Sequence, residues 1–227
     1  MSDLTLLIIA ISLFIGTHEL LSHPLRAPIV RAVGEKGFLP IYALTALGTL
    51  FWAMQLWKGI PQDRLWQAPG WLYAAALVVM LVAAILFVGS VTAPNPALMG
   101  GGAPGASGPR GVQRITRHPM MWAFALWALV HITLSADSRT IVLASGLAFL
   151  ALFGSAMQDK KKRAANPDYG RHMAATSFVP FGMQLSGRSP LGTIFPGWVA
   201  VGGGLLVWAV ILWGHPLVIG VPAIQGF

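Results

Sequence analysis

Apolar stretches of nearly twenty residues recur along the chain, separated by short segments in which Gly, Pro and basic residues collect. Six stand out: Leu4–Leu21, Leu39–Trp57, Trp71–Thr92, Met120–Ser135, Thr140–Met157 and Trp198–Leu217. A hydrocarbon layer of about 30 Å needs roughly 17–25 residues of helix to cross it. In lipid only a helix or a closed barrel satisfies its own backbone hydrogen bonds. The pattern therefore predicts an all-α fold, a polytopic transmembrane bundle of about six helices, with residues 1–227 forming a single membrane domain.

Composition supports the bilayer as the solvent. Hydrophobic residues make up 56% of the chain and charged residues only 10%, against about 25% charged in an ordinary soluble domain. The first segment, MSDLTLLIIAISLFIGTHELL, is reminiscent of a secretory signal. It carries Asp3 in place of a basic leader and has no small-residue cleavage site, so a retained helix is expected. With no cysteine, disulfides, iron–sulfur clusters and thiolate ligation of haem are excluded.

The net charge of +8 reads as orientation, not as affinity for nucleic acid. Twelve of the fifteen basic residues fall in the first, third and fifth connections; Lys58, Arg64 and Arg139 are the others. The positive-inside rule makes those odd connections cytoplasmic and puts both termini on the outer, periplasmic side. Trp57, Trp66 and Trp71 then gather at the outer interface as an aromatic belt. The stretch at residues 99–111, MGGGAPGASGPRG, is expected to be a flexible cytoplasmic loop. It is no phosphate-binding loop, since no GK[ST] follows it. Residues 159–190 form a basic cytoplasmic loop whose mixed charges and aromatics suit docking against the membrane face.

Polar chemistry concentrates at two places. RITRHPMMWAFALWALVHI puts Arg114, Arg117 and His118 ahead of Pro119, which suits a helix's first turn. The arginines are candidates either for headgroup anchoring or for clamping a phosphate or a haem propionate. His131 lies thirteen residues beyond His118, about 20 Å along a helix and about 220° around it. The two cannot share one metal ion without help from other helices. The first helix offers His18, Glu19, His23 and Arg26, and ionisable groups near a membrane core are functional candidates. His172 is expected to be solvated or to face headgroups, and His215 to be interfacial.

The inventory narrows the chemistry. HEXXH is absent, and His18 and His23 are five residues apart, which argues against hydrolytic zinc. No nucleophile elbow supports a serine triad. Axial ligation of haem needs only one or two imidazoles in an apolar pocket, and the residues permit it. By depth alone His18, near the cytoplasmic end of its helix, pairs with His118, whereas His131 lies toward the outer half of its own.

Four blocks carry a resemblance: GTHELLS…LR (Gly16 to Arg26), VGEKGFLPIYAL (Val33 to Leu44), GVQRITRHPMMWAFALWALVH (Gly111 to His131) and YGRHMAATSFVPF (Tyr169 to Phe181). They resemble the NnrU family, which includes 15-cis-zeta-carotene isomerases. The resemblance implies a multi-pass protein of the bacterial inner membrane. It further implies haem b held by His18 and His131, with His118, Arg117 and Arg114 as further cofactor-binding residues. Two roles follow from it: cis–trans isomerisation of an apolar polyene, or a link to nitrogen-oxide respiration (denitrification).

A second resemblance supplies a rival. RHPxxW followed by a Tyr-Gly block and a Pro is similar to membrane methyltransferases of isoprenylcysteine and phospholipids, which use S-adenosylmethionine. The matching positions are Asp159, Tyr169, Gly170 and Pro180, although Asp159 and Lys160 stand where adjacent glutamates are expected. A third possibility is a non-enzymatic membrane subunit or assembly factor serving a respiratory-complex partner. In every case the lipid bilayer is a partner, and in the enzymatic ones so is an apolar or lipid-like small molecule.

Overall fold

A computed structural model describes residues 2–98, 101, 104 and 108–223. Each of the six apolar segments coincides with a helix, the third overrunning its helix by one residue, Thr92. In chain order these are α1 (Asp3–Ser22), α2 (Arg26–Gly59), α3 (Gly70–Val91), α4 (Pro119–Ser135), α5 (Ser138–Ala165), α6 (Pro167–Ala174), α7 (Gly182–Leu185) and α8 (Trp198–Ile219). Single 3-10 turns lie at Gly111–Arg114 and Leu191–Thr193, and no strand occurs among the described residues. Helices α1, α2, α3, α5 and α8 are long and apolar enough to cross a membrane. The remaining apolar helix, α4, has 17 residues, about 25 Å of rise. The chain is thus an all-helical, multi-pass membrane protein. Most of the predicted glycine-rich loop at 99–111 lies outside the described residues.

Two helices run further than hydropathy predicts. Helix α2 begins at Arg26 and not near Leu39, because it is two helical pieces joined at Gly34. That residue has φ 73° and ψ 169°, a backbone conformation only glycine adopts without strain. Helix α5 continues through DKKKRAA to Ala165, so the first part of the predicted 159–190 loop is helix. Lys, Arg and Ala are good helix formers, and cations in a last turn face the negative end of the helix dipole.

The described residues form two compact units that interleave in sequence, residues 1–68 with 131–150, and 69–130 with 151–227. In the first, Leu7, Ala10 and Ile11 of α1 pack with Ala53 of α2 and Leu143 of α5. Its turn chemistry is dense. Asp137 caps α5 by accepting from the Thr140 amide at 2.9 Å, and Asp63 accepts from the Ser138 amide at 2.8 Å. The Ser138 hydroxyl donates to the other Asp63 oxygen at 2.5 Å, and the hydroxyl and amide bonds together hold the Asp63 carboxyl below its usual range. Arg139 donates to the carbonyls of Trp57 and Ile60 at 2.9 and 2.6 Å, satisfying orphan acceptors at the end of α2. Its guanidinium also lies over the Trp57 ring, so this basic residue works as a helix cap.

The second unit holds Ala83, Leu86, Val112, Ile115, Ala123 and Ala200 at its centre. Helices α3 and α8 meet through glycine. A Cβ on Gly204 would lie 2.7 Å from the Ile85 Cα and 2.9 Å from its backbone nitrogen, so the helices approach backbone to backbone. Close contact through small residues is the usual means of packing helices in lipid. Gly202, two residues earlier, faces open space. Gly204→Ala is therefore expected to lower stability by about 1–3 kcal/mol through overpacking, with Gly202→Ala near neutral. Thermal unfolding of both variants in detergent measures the difference.

Candidate functional site

The second unit gathers the chain's polar chemistry around one carboxylate. Pro119 opens α4, and the His118 carbonyl accepts the first helical bond from the Trp122 amide at 3.0 Å. Arg117 and His118 are thereby fixed just ahead of the helix. Asp159, on the last turns of α5, receives both. Arg117 Nε donates to Oδ2 at 2.6 Å, and His118 Nε2 donates to Oδ1 at 2.8 Å. The Tyr169 hydroxyl, from α6, donates to the same Oδ1 at 2.7 Å. All four residues are at least nine-tenths buried. Since Asp159 can only accept, the imidazole proton must sit on Nε2 of His118.

Packing and backbone bonds hold this knot. Phe178 lies against the His118 ring and under the Arg117 guanidinium. The Phe178 carbonyl accepts from Thr116 Oγ1 at 2.6 Å and from the Trp122 indole at 2.8 Å. On either side, the Arg117 amide donates to the Ser177 carbonyl at 2.9 Å and the Phe181 amide to that of Ile115 at 2.8 Å. Two sequence blocks some sixty residues apart are thus stitched together strand-like, without forming a sheet. Lys162 donates to the carbonyls of Pro96 and Leu98, tying the segment after α3 to the same place.

His172 departs from its expected solvated position: it is 5% exposed and its ring packs on Tyr169. Its Nε2 has no hydrogen-bond partner among the described residues. Burial first, and then the nearby positive charge of Arg117, push its pKa down to about 4. Burial and the Asp159 carboxylate raise the Tyr169 phenol well above its ordinary range, so it is a neutral donor.

The predicted site residues fall in several places. Arg117 and His118 come together on Asp159, so their anion is internal. Arg114 stays apart, exposed at the end of its 3-10 turn, with Nε donating to the Pro109 carbonyl at 3.2 Å. His18 and His131 belong to the first unit and His118 to the second. The His18 ring is half-buried between Phe14 and Tyr42, and Nδ1 donates to the Phe14 carbonyl at 2.8 Å. This leaves His18 Nε2 without a hydrogen bond among the described residues. His23 faces Glu19 at 3.4 Å, and His215 Nδ1 bonds the Val221 carbonyl at 2.6 Å. No group of three His, Asp or Glu residues fit to hold a metal ion occurs among the described residues.

Asp159 and Tyr169 complete the knot, and periodicity did not single them out. The signal was the methyltransferase-like spacing, which grouped both with the RHP motif. Its energetics are those of a buried ion pair, strongly destabilised when one partner is removed. Asp159→Ala, which strands Arg117, is expected to cost about 3–5 kcal/mol, and Tyr169→Phe only about 1 kcal/mol. Thermal unfolding in detergent ranks the two. For His172 the folded pKa lies below the usual 6.5, so the unfolded chain binds the extra proton. Stability should therefore fall as pH drops from about 6.5 toward about 4. His172→Phe should flatten that part of the profile, as unfolding midpoints across pH will reveal.

Among known protein families, the model described as NnrU protein matches residues 6–223. No curated protein and no solved structure matches the chain. The matched range takes in most of α1 with His18, the RHP segment, the Asp159 knot and all of α8, which is nearly the whole sequence, and the chain belongs to the NnrU family.

Proposed function

We propose that this protein is a haem b protein of the bacterial inner membrane, in which His18 and His131 would hold the haem iron. The observation that carries the reading is the state of the His18 ring. Its Nδ1–H is given to the Phe14 carbonyl at 2.8 Å, which fixes the tautomer and leaves the Nε2 lone pair available. Metal-binding histidines almost always anchor their second nitrogen this way. The aromatic walls of Phe14 and Tyr42 and the apolar helix around them suit a porphyrin. His118 is also anchored through one ring nitrogen, on Asp159, but it belongs to the second unit and its ring is packed against Phe178 within the knot. Pairing His18 with His131 also keeps both ligands in one unit.

Bound haem would supply electron donation to, or withdrawal from, a double bond, lowering its rotation barrier. The protein's own part is to orient the imidazole through Phe14, exclude water with its apolar helices, and admit a substrate from the bilayer. An apolar polyene fits that environment, and a role beside a nitrogen-oxide-reducing enzyme fits it equally. A methyltransferase reading draws support from the meeting of Asp159 and Tyr169 with Arg117 and His118. Against it, the neighbouring lining is net positive, which disfavours adenosylmethionine, itself a net cation.

An absorption spectrum of the full chain, expressed with haem supplied and purified in mild detergent, tests the proposal. A Soret band with sharp reduced α and β bands is expected. His18→Ala should abolish haem retention, His131→Ala should convert the spectrum from low spin to high spin, and His118→Ala should leave the bands unmoved. A spectrum holding only aromatic absorbance would overturn the haem reading. Calorimetric binding of adenosylmethionine would then favour the methyltransferase.

A further inference from the structure

A cleft of about 600 Å³ opens beside the Asp159 knot, within the second unit. Its volume is that of a small-ligand site. One wall is a single face of α5, where Ala156, Lys160 and Arg163 follow at helical spacing. The other wall brings Arg117, Met173 and Phe178. Three of these six side chains are cationic. The one acid in the lining, Asp159, already accepts from Arg117, His118 and Tyr169, so it does not neutralise the other two cations. Among the described residues neither Lys160 nor Arg163 has a hydrogen-bond or ion-pair partner. Two exposed cations without a protein partner, set beside a neutralised carboxylate at the mouth of a cleft, suit an anion from outside.

The lining is also graded. From Ala156 to Arg163 is about 10 Å of helix rise, and α5 is one of the helices long and apolar enough to cross a membrane. Ala156 lies toward the apolar middle of α5, while Lys160 and Arg163 stand toward its C-terminal end. An apolar floor leading to a basic rim matches a molecule with a chain and a charged head. A phosphate is the head such cations hold best, through charge-assisted hydrogen bonds.

We propose that this cleft binds the phosphate headgroup of an amphiphile, with Lys160 and Arg163 on the phosphate and the chain laid along Ala156, Met173 and Phe178. It is independent of haem and of His18. The knot's role is to hold one wall rigid and keep Asp159 from repelling the anion.

Titration calorimetry on the full chain in a non-ionic detergent tests this, with three probes: short-chain phosphatidic acid, short-chain phosphatidylcholine and inorganic phosphate. Phosphatidic acid should bind saturably and phosphatidylcholine far more weakly. The double variant Lys160→Ala/Arg163→Ala removes two exposed side chains, so it should fold, which circular dichroism checks. It should weaken phosphatidic acid at least about tenfold. Ala156→Phe, which fills the apolar end, should weaken phosphatidic acid while sparing inorganic phosphate. Unchanged binding by the double variant overturns the proposal, as does equal affinity for phosphatidylcholine. If inorganic phosphate binds as tightly as phosphatidic acid and Ala156→Phe has no effect, the ligand is a soluble phosphate and the amphiphile is excluded.

Discussion

A carboxylate taken out of water is tolerable only when its lone pairs are filled, because an unpaired buried charge costs several kcal/mol. Asp159 meets that demand with three donors from two places: Arg117 and His118 ahead of α4, and Tyr169 on α6. Each donor needs the others in position. If α6 drifts, Oδ1 loses the phenol. If the turn before α4 shifts, both basic side chains lose their acceptor together. The requirement therefore fixes the register of α5 against α6, which follows it directly, and against the segment before α4, some forty residues away, which apolar packing in lipid specifies poorly, since lipid tails are as apolar as the helices.

The paired backbone around Phe178 follows from the same constraint. Amides of Arg117 and Phe181 reach across to the carbonyls of Ser177 and Ile115, so two irregular segments satisfy each other's backbone groups. Irregular backbone near a membrane survives only where protein satisfies it. Phe181 sits at φ 62°, an uncommon conformation for a residue without glycine's freedom. It is also where the chain leaves the Ile115 contact to enter α7, and the amide bond to Ile115 helps hold it there.

The helices were legible because hydropathy alone marks them, and Pro119 as the start of α4 was legible because a proline costs nothing there. Helix α2 was misjudged at its start since Gly34 breaks the chain within a helix, where hydropathy falls and carries no geometric signal. The reach of α5 was missed because DKKKR reads as solvated charge, although those residues are good helix formers. His172 was misplaced for a related reason. Its neighbours in sequence are polar, and only tertiary packing on Tyr169 buries it. The partnership of Arg117 with Asp159 spans forty-two residues, and no periodicity reports a contact of that range; only a likeness of spacing to another group of enzymes placed Asp159 and Tyr169 with the RHP motif.

Polar groups in this chain divide into those the protein satisfies and those it leaves open, and the division separates structural roles from functional ones. Arg139, Lys162, Asp63 and Asp159 are each bound to named partners, and each closes a helix end or pins a segment. A group so engaged can take a new ligand only by breaking what it holds. His18 is different: its Nδ1 is anchored and its Nε2 is open, the arrangement a metal ligand needs. Lys160 and Arg163 are open too, beside a carboxylate already neutralised. His172 Nε2 is likewise unpaired, but its depressed pKa keeps the ring neutral, so it makes no demand for a counter-ion. Chemistry is therefore sought at His18 and at the rim of the α5 cleft, while the conspicuous RHP motif, which first draws attention in the sequence, serves mainly to build the wall beside it.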